Sequence, residues 1–121
     1  MIGGLRMNKI RLKKEYYAPS VWQVWLAYIR FEGSDGGKKR PVLVIGTNGP
    51  SCTIAEITGR PPSDAPDVPL MDLITAGLGR ESAVRIDKIR TIPKDSLRSY
   101  LGKLSCADRD SVKEAIKRRG C

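Results

Sequence analysis

The first half of the chain contains short apolar runs that are bounded by turn-forming residues. Residues 22–31 (WQVWLAYIRF) are rich in aromatic and β-branched side chains, with apolar positions on both alternating faces, which predicts a strand covered on two sides. Residues 41–45 and 51–58 predict two more strands, separated by the turn signal GTNGP at residues 46–50. The pattern therefore predicts antiparallel neighbours joined by short turns.

The next part of the chain combines a proline-rich segment with a short helix and a second strand region. Four prolines within residues 59–69 exclude a helix or a central strand, so this segment is expected to be a long surface loop. Residues 71–76 predict one short helix that ends at Gly77, the residue type favoured after a helix end. Residues 82–92 predict strands with a change of register between them.

A helix is predicted over residues 105–119. Ser105 and Asp108 have the spacing of a capping box. Val112 and Ile116 fall on one face, and the basic residues near the end suit the helix dipole. The chain as a whole is thus predicted to be mainly β with a C-terminal helix, and its short strands favour a small, strongly curved sheet or barrel.

The length of 121 residues corresponds to one ordinary domain with one core. Residues 1–17 are predicted to be a basic N-terminal extension, either a short edge strand or a mobile arm, and residues 18–121 a single domain. No stretch reaches the roughly 20 apolar residues of a membrane helix, and the start lacks the apolar core of a signal peptide. A cytoplasmic protein without membrane contact is therefore expected.

The charge balance is strongly basic. The chain carries 22 Lys and Arg against 13 Asp and Glu, a net charge of +9, which favours a polyanion or an acidic protein as partner. It contains no histidine, and its three cysteines, Cys52, Cys106 and Cys121, include no Cys-x-x-Cys pair. A structural metal is therefore not expected, and no cofactor is predicted.

A basic segment leads into the second predicted strand through the sequence GGKKRPVLVI at residues 36–45. Arg40 stands directly before Pro41, whose ring stiffens the backbone, so a guanidinium is held where a mobile turn meets a rigid strand. The planar fork of arginine suits two oxygens of one phosphate, which makes Arg40 a candidate for phosphate chemistry. The alternative is that Lys38, Lys39 and Arg40 form a solvated turn.

Arg85 and Asp87 form a second candidate pair. Residues two apart on a strand point to the same face, so both side chains are able to touch one ligand. A structural salt bridge between them is the alternative. In a chain without histidine, this pair and Arg40 indicate metal-free chemistry on a phosphate.

Several motifs follow one another in a fixed order: Trp25, GKKRPVLV at 37–44, IT at 57–58, AGL at 76–78, SAVRIDKIRTI at 82–92 and GKL at 102–104. This ordered set, from about residue 21 to the end, resembles the MazF/PemK-like toxins of bacterial toxin–antitoxin pairs. The resemblance implies a small SH3-like β-barrel of the MazF/PemK/CcdB type and a homodimer. It also implies a metal-independent endoribonuclease that cuts single-stranded RNA at short sequences and so inhibits translation and growth.

The resemblance assigns roles and partners as well. The implied catalytic residues are Arg40, Thr58, Arg85 and Asp87, and the resemblance places Ser82 beside the RNA path. Four basic residues are predicted to bind RNA through phosphates without reading bases, with solvating surface charge as the alternative: Lys38, Lys39, Lys88 and Arg90. The hydroxyl of Thr58 would donate to a phosphate oxygen or hold the attacking group in line, whereas its alternative is a threonine that only closes a sheet end. Arg85 would stabilise charge, and Asp87 would accept a proton or orient Arg85.

The implied protein partner is a cognate antitoxin with an acidic, partly disordered tail, through which alone DNA would be contacted. Two noncatalytic alternatives share the architecture, namely a gyrase inhibitor and a plain RNA-binding SH3-like domain. The joint presence of an arginine, a threonine and an aspartate favours the nuclease, because a binding module needs cations but not the other two groups.

Overall fold

The computed structural model describes residues 18–31, 33–59 and 66–120. Within these ranges the elements are β1 (Gln23–Arg30), β2 (Gly37–Asn48), β3 (Ser51–Thr58), β4 (Asp67–Pro69), α1 (Leu73–Ala76), β5 (Ala83–Pro93), β6 (Leu97–Lys103) and α2 (Cys106–Gly120). A 3₁₀ turn over Lys94–Ser96 joins β5 to β6. The predicted N-terminal extension, most of the predicted loop and Cys121 lie outside the described residues.

The described strands form one antiparallel sheet in the order β4-β5-β3-β2-β1-β6. The prediction of a mainly β chain with a C-terminal helix is confirmed. β4 and β6 stand at opposite ends of this order and share no ladder within the described ranges. Closure into an SH3-like barrel therefore stays a prediction.

Both faces of the sheet bury apolar side chains. Val24 and Val84 belong to one cluster, which also contains Val112 of α2. Trp25 and Ile54 belong to a second cluster. Val24 and Trp25 are neighbours on β1 and both are fully buried. Because adjacent strand residues point to opposite faces, the prediction of a first strand covered on two sides is confirmed.

β2 extends beyond its apolar run at both ends. Residues 37–41 pair with β1, so the basic residues 38–40 lie inside a strand and the predicted mobile turn is wrong for them. At the other end the predicted five-residue turn is reduced to Gly49 and Pro50, with Gly49 at φ 60°. A glycine at the first of the two loop residues is typical of a tight hairpin turn. Backbone pairing needs no apolar side chain, and the apolar pattern therefore underestimated this strand.

Two strands were not predicted. β4 arises at the end of the proline-rich segment, where prolines are tolerated because this strand lies at the edge of the sheet. β6 pairs with β1, but register shifts interrupt the pairing at two places. Such irregularities break the alternation of apolar and polar residues by which a strand is recognised in a sequence.

β5 changes register in its middle, as predicted. Its pairing with β3 is interrupted so that Glu56 alone stands opposite residues 85–88. This bulge contains three of the candidate residues, Arg85, Asp87 and Lys88. They are thus held on an extra segment that is not paired with β3, as is common for residues next to functional sites.

The predicted helix over residues 105–119 is confirmed as α2, but its predicted capping box is only half correct. The Oγ atom of Ser105 accepts a hydrogen bond of 3.2 Å from the backbone N–H of Asp108. The carboxylate of Asp108 instead accepts from the backbone N–H groups of Met71 and Asp72, both at 2.9 Å. Asp108 is buried and therefore ties α2 to the segment that begins α1. Within the described ranges, neither helix has the length and apolarity that a membrane crossing requires.

Replacement of Asp108 by alanine is expected to lower the free energy of unfolding by about 2–4 kcal/mol. The reason is that two backbone N–H groups lose a charged acceptor in a partly buried place. Urea unfolding followed by circular dichroism measures the change. Asp110→Ala is the matched control, since Asp110 is an exposed carboxylate on the same helix and its loss should cost less than about 1 kcal/mol. Equal losses in the two variants would contradict the anchoring role of Asp108.

Candidate active site

The two neighbouring strands β2 and β3 separate at the end that lies away from their hairpin. Their pairing ends at Val42↔Glu56, and the same register carried two residues further would bring Arg40 opposite Thr58. Residues at such positions point to the same face of a sheet. Arg40 and Thr58 indeed line one cleft, with a volume of about 280 Å³.

Three of the predicted RNA-binding residues also line this cleft. Lys38, Lys39 and Ser82 line it, together with Arg80, which no local sequence pattern indicated. A smaller adjoining space of about 250 Å³ is lined by Arg40, Thr58, Gly59 and Arg80. Among the described residues that line the cleft there is no Asp or Glu. The cleft is therefore cationic.

Pro41 fits this place because of how β2 is paired. Residues 37–41 are paired with β1, whereas the ladder with β3 begins only at Val42. Proline has no N–H to donate, so it is tolerated where a strand has a partner on one side only. Arg40 is itself paired with Ala27, and its backbone is consequently fixed by β1 while its side chain reaches the open edge beside β3.

Ser82 has a structural bond inside the cleft wall. Ser82 is buried, and its Oγ–H donates a hydrogen bond of 2.8 Å to the carbonyl oxygen of Arg80. The carbonyl of Ser82 in turn accepts from the N–H of Leu70 at 3.0 Å. Ser82 therefore fixes the backbone that carries Arg80, and its predicted contact with RNA stays a prediction.

Arg85 and Asp87 touch each other but do not line this cleft. The Nε atom of Arg85 lies 3.8 Å from Oδ1 of Asp87 and 3.9 Å from Oδ1 of Asp67 on the edge strand β4. The side chain of Asp67 is only 3% exposed, whereas that of Asp87 is 42% exposed. The prediction that Arg85 and Asp87 share one face agrees with this contact, and the third partner, Asp67, was missed. Nothing in the local sequence pairs Asp67 with Arg85, because the contact arises from the β4–β5 ladder.

Asp67 is the buried carboxyl group of this cluster. Burial raises the pKa of Asp67 above its usual range, the positive charge of Arg85 opposes that rise, and the negative charge of Asp87 adds to it. Among the residues that the structure describes, neither carboxylate oxygen of Asp67 has a hydrogen-bond partner. The cluster is therefore an imperfectly satisfied charge group beside the bulge of β5.

The remaining two predicted RNA-binding residues differ in their surroundings. Lys88 is exposed on the bulge of β5. Arg90 donates from Nη2 to Oε2 of the buried Glu56 at 2.8 Å. This ion pair neutralises much of the charge that Arg90 would otherwise offer to a phosphate, so a structural role accounts for Arg90 at least as well as RNA binding.

The arrangement at the cleft suits chemistry in which negative charge develops on a phosphate. Guanidinium groups donate paired N–H bonds to phosphate oxygens, and donors that are already in place stabilise a transition state without having to reorganise. The cleft offers such groups from β2 and from the segment before β5, with a hydroxyl from β3 between them.

Comparisons with known proteins agree with these features. A family model described as "PemK-like, MazF-like toxin of type II toxin-antitoxin system" matches residues 20–119. The Mycobacterium tuberculosis toxin MazF-mt6 is 28% identical, with 79% of this chain and 93% of that chain covered and a TM-score of 0.63. MazF from Deinococcus radiodurans is 24% identical, with 87% and 99% covered and a TM-score of 0.66.

A further solved structure shows an endoribonuclease from a mycobacterial species in complex with its cognate antitoxin. It is 22% identical, with 84% of this chain and 93% of that chain covered and a TM-score of 0.66. At this identity, as for the Deinococcus protein, the likeness concerns the fold. A search of curated proteins gives no match.

Proposed function

This chain belongs to the family of PemK-like, MazF-like toxins of type II toxin–antitoxin systems, and on that premise we propose that it is an endoribonuclease that cuts single-stranded RNA. One observation carries the proposal. Arg40 and Thr58, which come from different strands, line the same cationic cleft at the point where β2 and β3 separate. Cleavage of messenger RNA in the bacterial cytoplasm would inhibit translation and growth.

The proposed reaction is attack of a ribose 2′-oxygen on the adjacent phosphorus. The P–O5′ bond breaks, so the products carry a 2′,3′-cyclic phosphate and a 5′-hydroxyl end, and a proton passes from the attacking to the leaving oxygen. Negative charge gathers on the nonbridging oxygens as the new bond forms, and Arg40 is placed to donate two N–H groups to them. The hydroxyl of Thr58 is proposed to donate to a phosphate oxygen or to hold the attacking group in line.

Arg85 and Asp87 are proposed as a second group that RNA meets outside the cleft. Arg85 lies between two carboxylates, and only that of Asp87 is substantially exposed. Asp87 is therefore the carboxylate that RNA is able to reach. In this proposal Asp87 orients Arg85, whose charge faces the RNA backbone.

The proposed path of the RNA follows the exposed cations. Lys38 and Lys39 border the cleft on β2, and Lys88 stands on the bulge of β5. These residues would contact phosphates and so position the strand without reading its bases. Ser82 is proposed to border the path. Arg90 is assigned only a weak contribution, because Glu56 already holds it.

Two protein partners are proposed. A cognate antitoxin with an acidic, partly disordered tail would cover the cationic cleft and fold as it binds. A second copy of this chain would complete a homodimer. The net charge of +9 favours the acidic partner, and complexes of related folds with antitoxins support it.

The proposal is tested with the purified chain and one long single-stranded transcript. Cleavage is expected in the presence of EDTA, since the proposed step uses protein cations, and the cleavage ends should fall at a few short sequences. The cleaved fragments should carry 2′,3′-cyclic phosphate ends. A single 2′-deoxynucleotide at a mapped site is the matched control and should abolish cleavage at that site alone.

Three results would contradict the proposal. Binding of the transcript without any cleavage would favour a noncatalytic module. Loss of cleavage in EDTA that returns with added Mg²⁺ would exclude a metal-independent reaction. Cleavage at a 2′-deoxy site would exclude the 2′-oxygen as the attacking group.

A further inference from the structure

Arg80 lies on the side of Thr58 that is opposite to Arg40. In the sheet, β3 is placed between β2 and β5. Arg40 belongs to β2, and Arg80 belongs to the segment that enters β5, so the two arginines approach the end of β3 from its two flanks. Both line the cleft of about 280 Å³ as well as the adjoining space of about 250 Å³.

The side chain of Arg80 lies across the backbone of Gly59. A Cβ atom at Gly59 would lie 3.3 Å from Nε and 3.7 Å from Cζ of Arg80. The guanidinium therefore reaches the residue that directly follows Thr58. The backbone of Arg80 is fixed as well, because its carbonyl oxygen accepts the hydrogen bond from the buried Ser82.

The space beside Arg40 and Arg80 is suited to an anion. Its described lining residues are Arg40, Thr58, Gly59 and Arg80, and none of them is an Asp or a Glu. Among the described residues, neither Arg40 nor Arg80 has a carboxylate within ion-pair distance. An anion bound in this space would interact favourably with both positive charges.

We infer that Arg80 is a second phosphate-binding residue of the cleft, and that Arg40 and Arg80 hold one phosphodiester group from the two sides of Thr58. This inference rests on the proposed function in taking RNA as the ligand. Arg80 is exposed, so its side chain is accessible to a bound RNA. Arg80 therefore contributes to binding of the RNA as well as to the chemical step.

The test uses a short single-stranded RNA with one mapped cleavage site and an uncleavable analogue that has a 2′-deoxynucleotide at that site. Arg80→Ala is expected to lower kcat/KM about 10- to 100-fold and to weaken binding of the analogue. The slope of log affinity against log salt should fall in magnitude by about 0.7, which corresponds to one phosphate contact with a single strand. Arg80→Lys should restore the salt slope but not the full kcat/KM, because an ammonium does not donate a pair of fixed N–H groups.

Arg119→Ala is the matched control, since it removes an exposed arginine at the far end of α2, outside the cleft. It should change kcat/KM less than about twofold and leave the salt slope within error of that of the original chain. Thermal unfolding of each variant shows whether the fold is kept.

The outcomes separate this inference from the proposed function. Unchanged kcat/KM and salt slope in Arg80→Ala would overturn the inference and leave the nuclease intact. Absence of cleavage by the original chain would overturn the proposed function, while the salt slope measured on the analogue would still decide whether Arg80 binds a phosphate. Equal changes in kcat/KM and salt slope in Arg80→Ala and Arg119→Ala would show that Arg80 acts only through the general positive charge of the surface. That result would overturn the inference.

Discussion

Replacement of Arg40 by alanine is expected to lower the rate of RNA cleavage about 100- to 1,000-fold, while the chain stays folded. The sheet holds the backbone of Arg40 at the cleft, because it is paired with Ala27 on β1. Loss of a donor that stabilises the developing charge costs about 3–4 kcal/mol of transition-state free energy. Single-turnover cleavage of a short RNA with one site measures this loss without interference from product release.

The fold should tolerate alanine in place of Arg40. The side chain of Arg40 points to the cleft, and the strand pairing of residues 37–41 involves the backbone alone. The midpoint of thermal unfolding is therefore expected to stay within a few degrees of the original value. Arg98→Ala is the matched control, because Arg98 is an exposed arginine on β6 whose guanidinium lies over Tyr28 and not in the cleft. Full activity of Arg40→Ala, or an equal loss in Arg98→Ala, would remove the catalytic assignment.

Replacement of Gly77 by alanine is expected to destabilise the fold by about 2–5 kcal/mol. Gly77 ends α1 with φ 76°, a conformation that costs a residue with a Cβ atom about 1–2 kcal/mol. A Cβ atom there would also collide with the carbonyl group of Leu101 on β6, whose oxygen would be 2.0 Å away. The group that the Cβ atom meets is the backbone of Leu101 and not a side chain that could rotate away. Relief of the collision therefore requires α1 to move away from β6.

Two control variants separate the causes of this loss. Gly49→Ala has the same type of strain, with φ 60°, but no atom of the described residues lies within 4 Å of the added Cβ. Gly79→Ala has neither strain of this kind nor a close neighbour, and should change stability by less than about 0.5 kcal/mol. Urea unfolding of the three variants gives the comparison. A loss in Gly77→Ala no larger than that in Gly49→Ala would show that α1 and β6 are not tightly packed.

Gly77→Ala is also expected to change the position of residues that line the cleft. Gly77 is followed by Leu78, Gly79 and Arg80, which all line the cleft wall. A displaced α1 would move Arg80 relative to Gly59. Any folded fraction of the Gly77→Ala variant is therefore expected to cut RNA more slowly than the Gly49→Ala variant, whose substitution lies outside the cleft, and the same single-turnover assay measures the difference.

The candidate site was predictable in part. Arg40 was found because an Arg-Pro pair before an apolar run is visible in the sequence itself. Thr58 became a candidate through the order of motifs, and the register of β2 with β3 now explains how it comes to share a cleft with Arg40. Arg80 carried no local signal, because its position depends on contacts with Gly59 and Ser82. Asp67 was missed for the same reason, as its contact with Arg85 arises between two strands.

The sequence by itself determined the elements whose signals are local. The apolar faces of β1, the turn at Gly49, the helix end at Gly77 and the cap at Ser105 each depend on residues a few positions apart. Preferences of backbone conformation and side-chain periodicity act over that distance. They predict which segments become strands or helices, but not which segments become neighbours.

Only the tertiary structure decided how these elements meet. The strand order brings β2, β3 and the start of β5 together, and the buried carboxylate of Asp108 fixes α2 against the segment that begins α1. Each of these contacts joins residues far apart in the chain, and its free energy depends on the packing of all the others. The cationic cleft exists because of this packing. The sequence supplies the side chains that line the cleft, whereas the fold brings them together at one place.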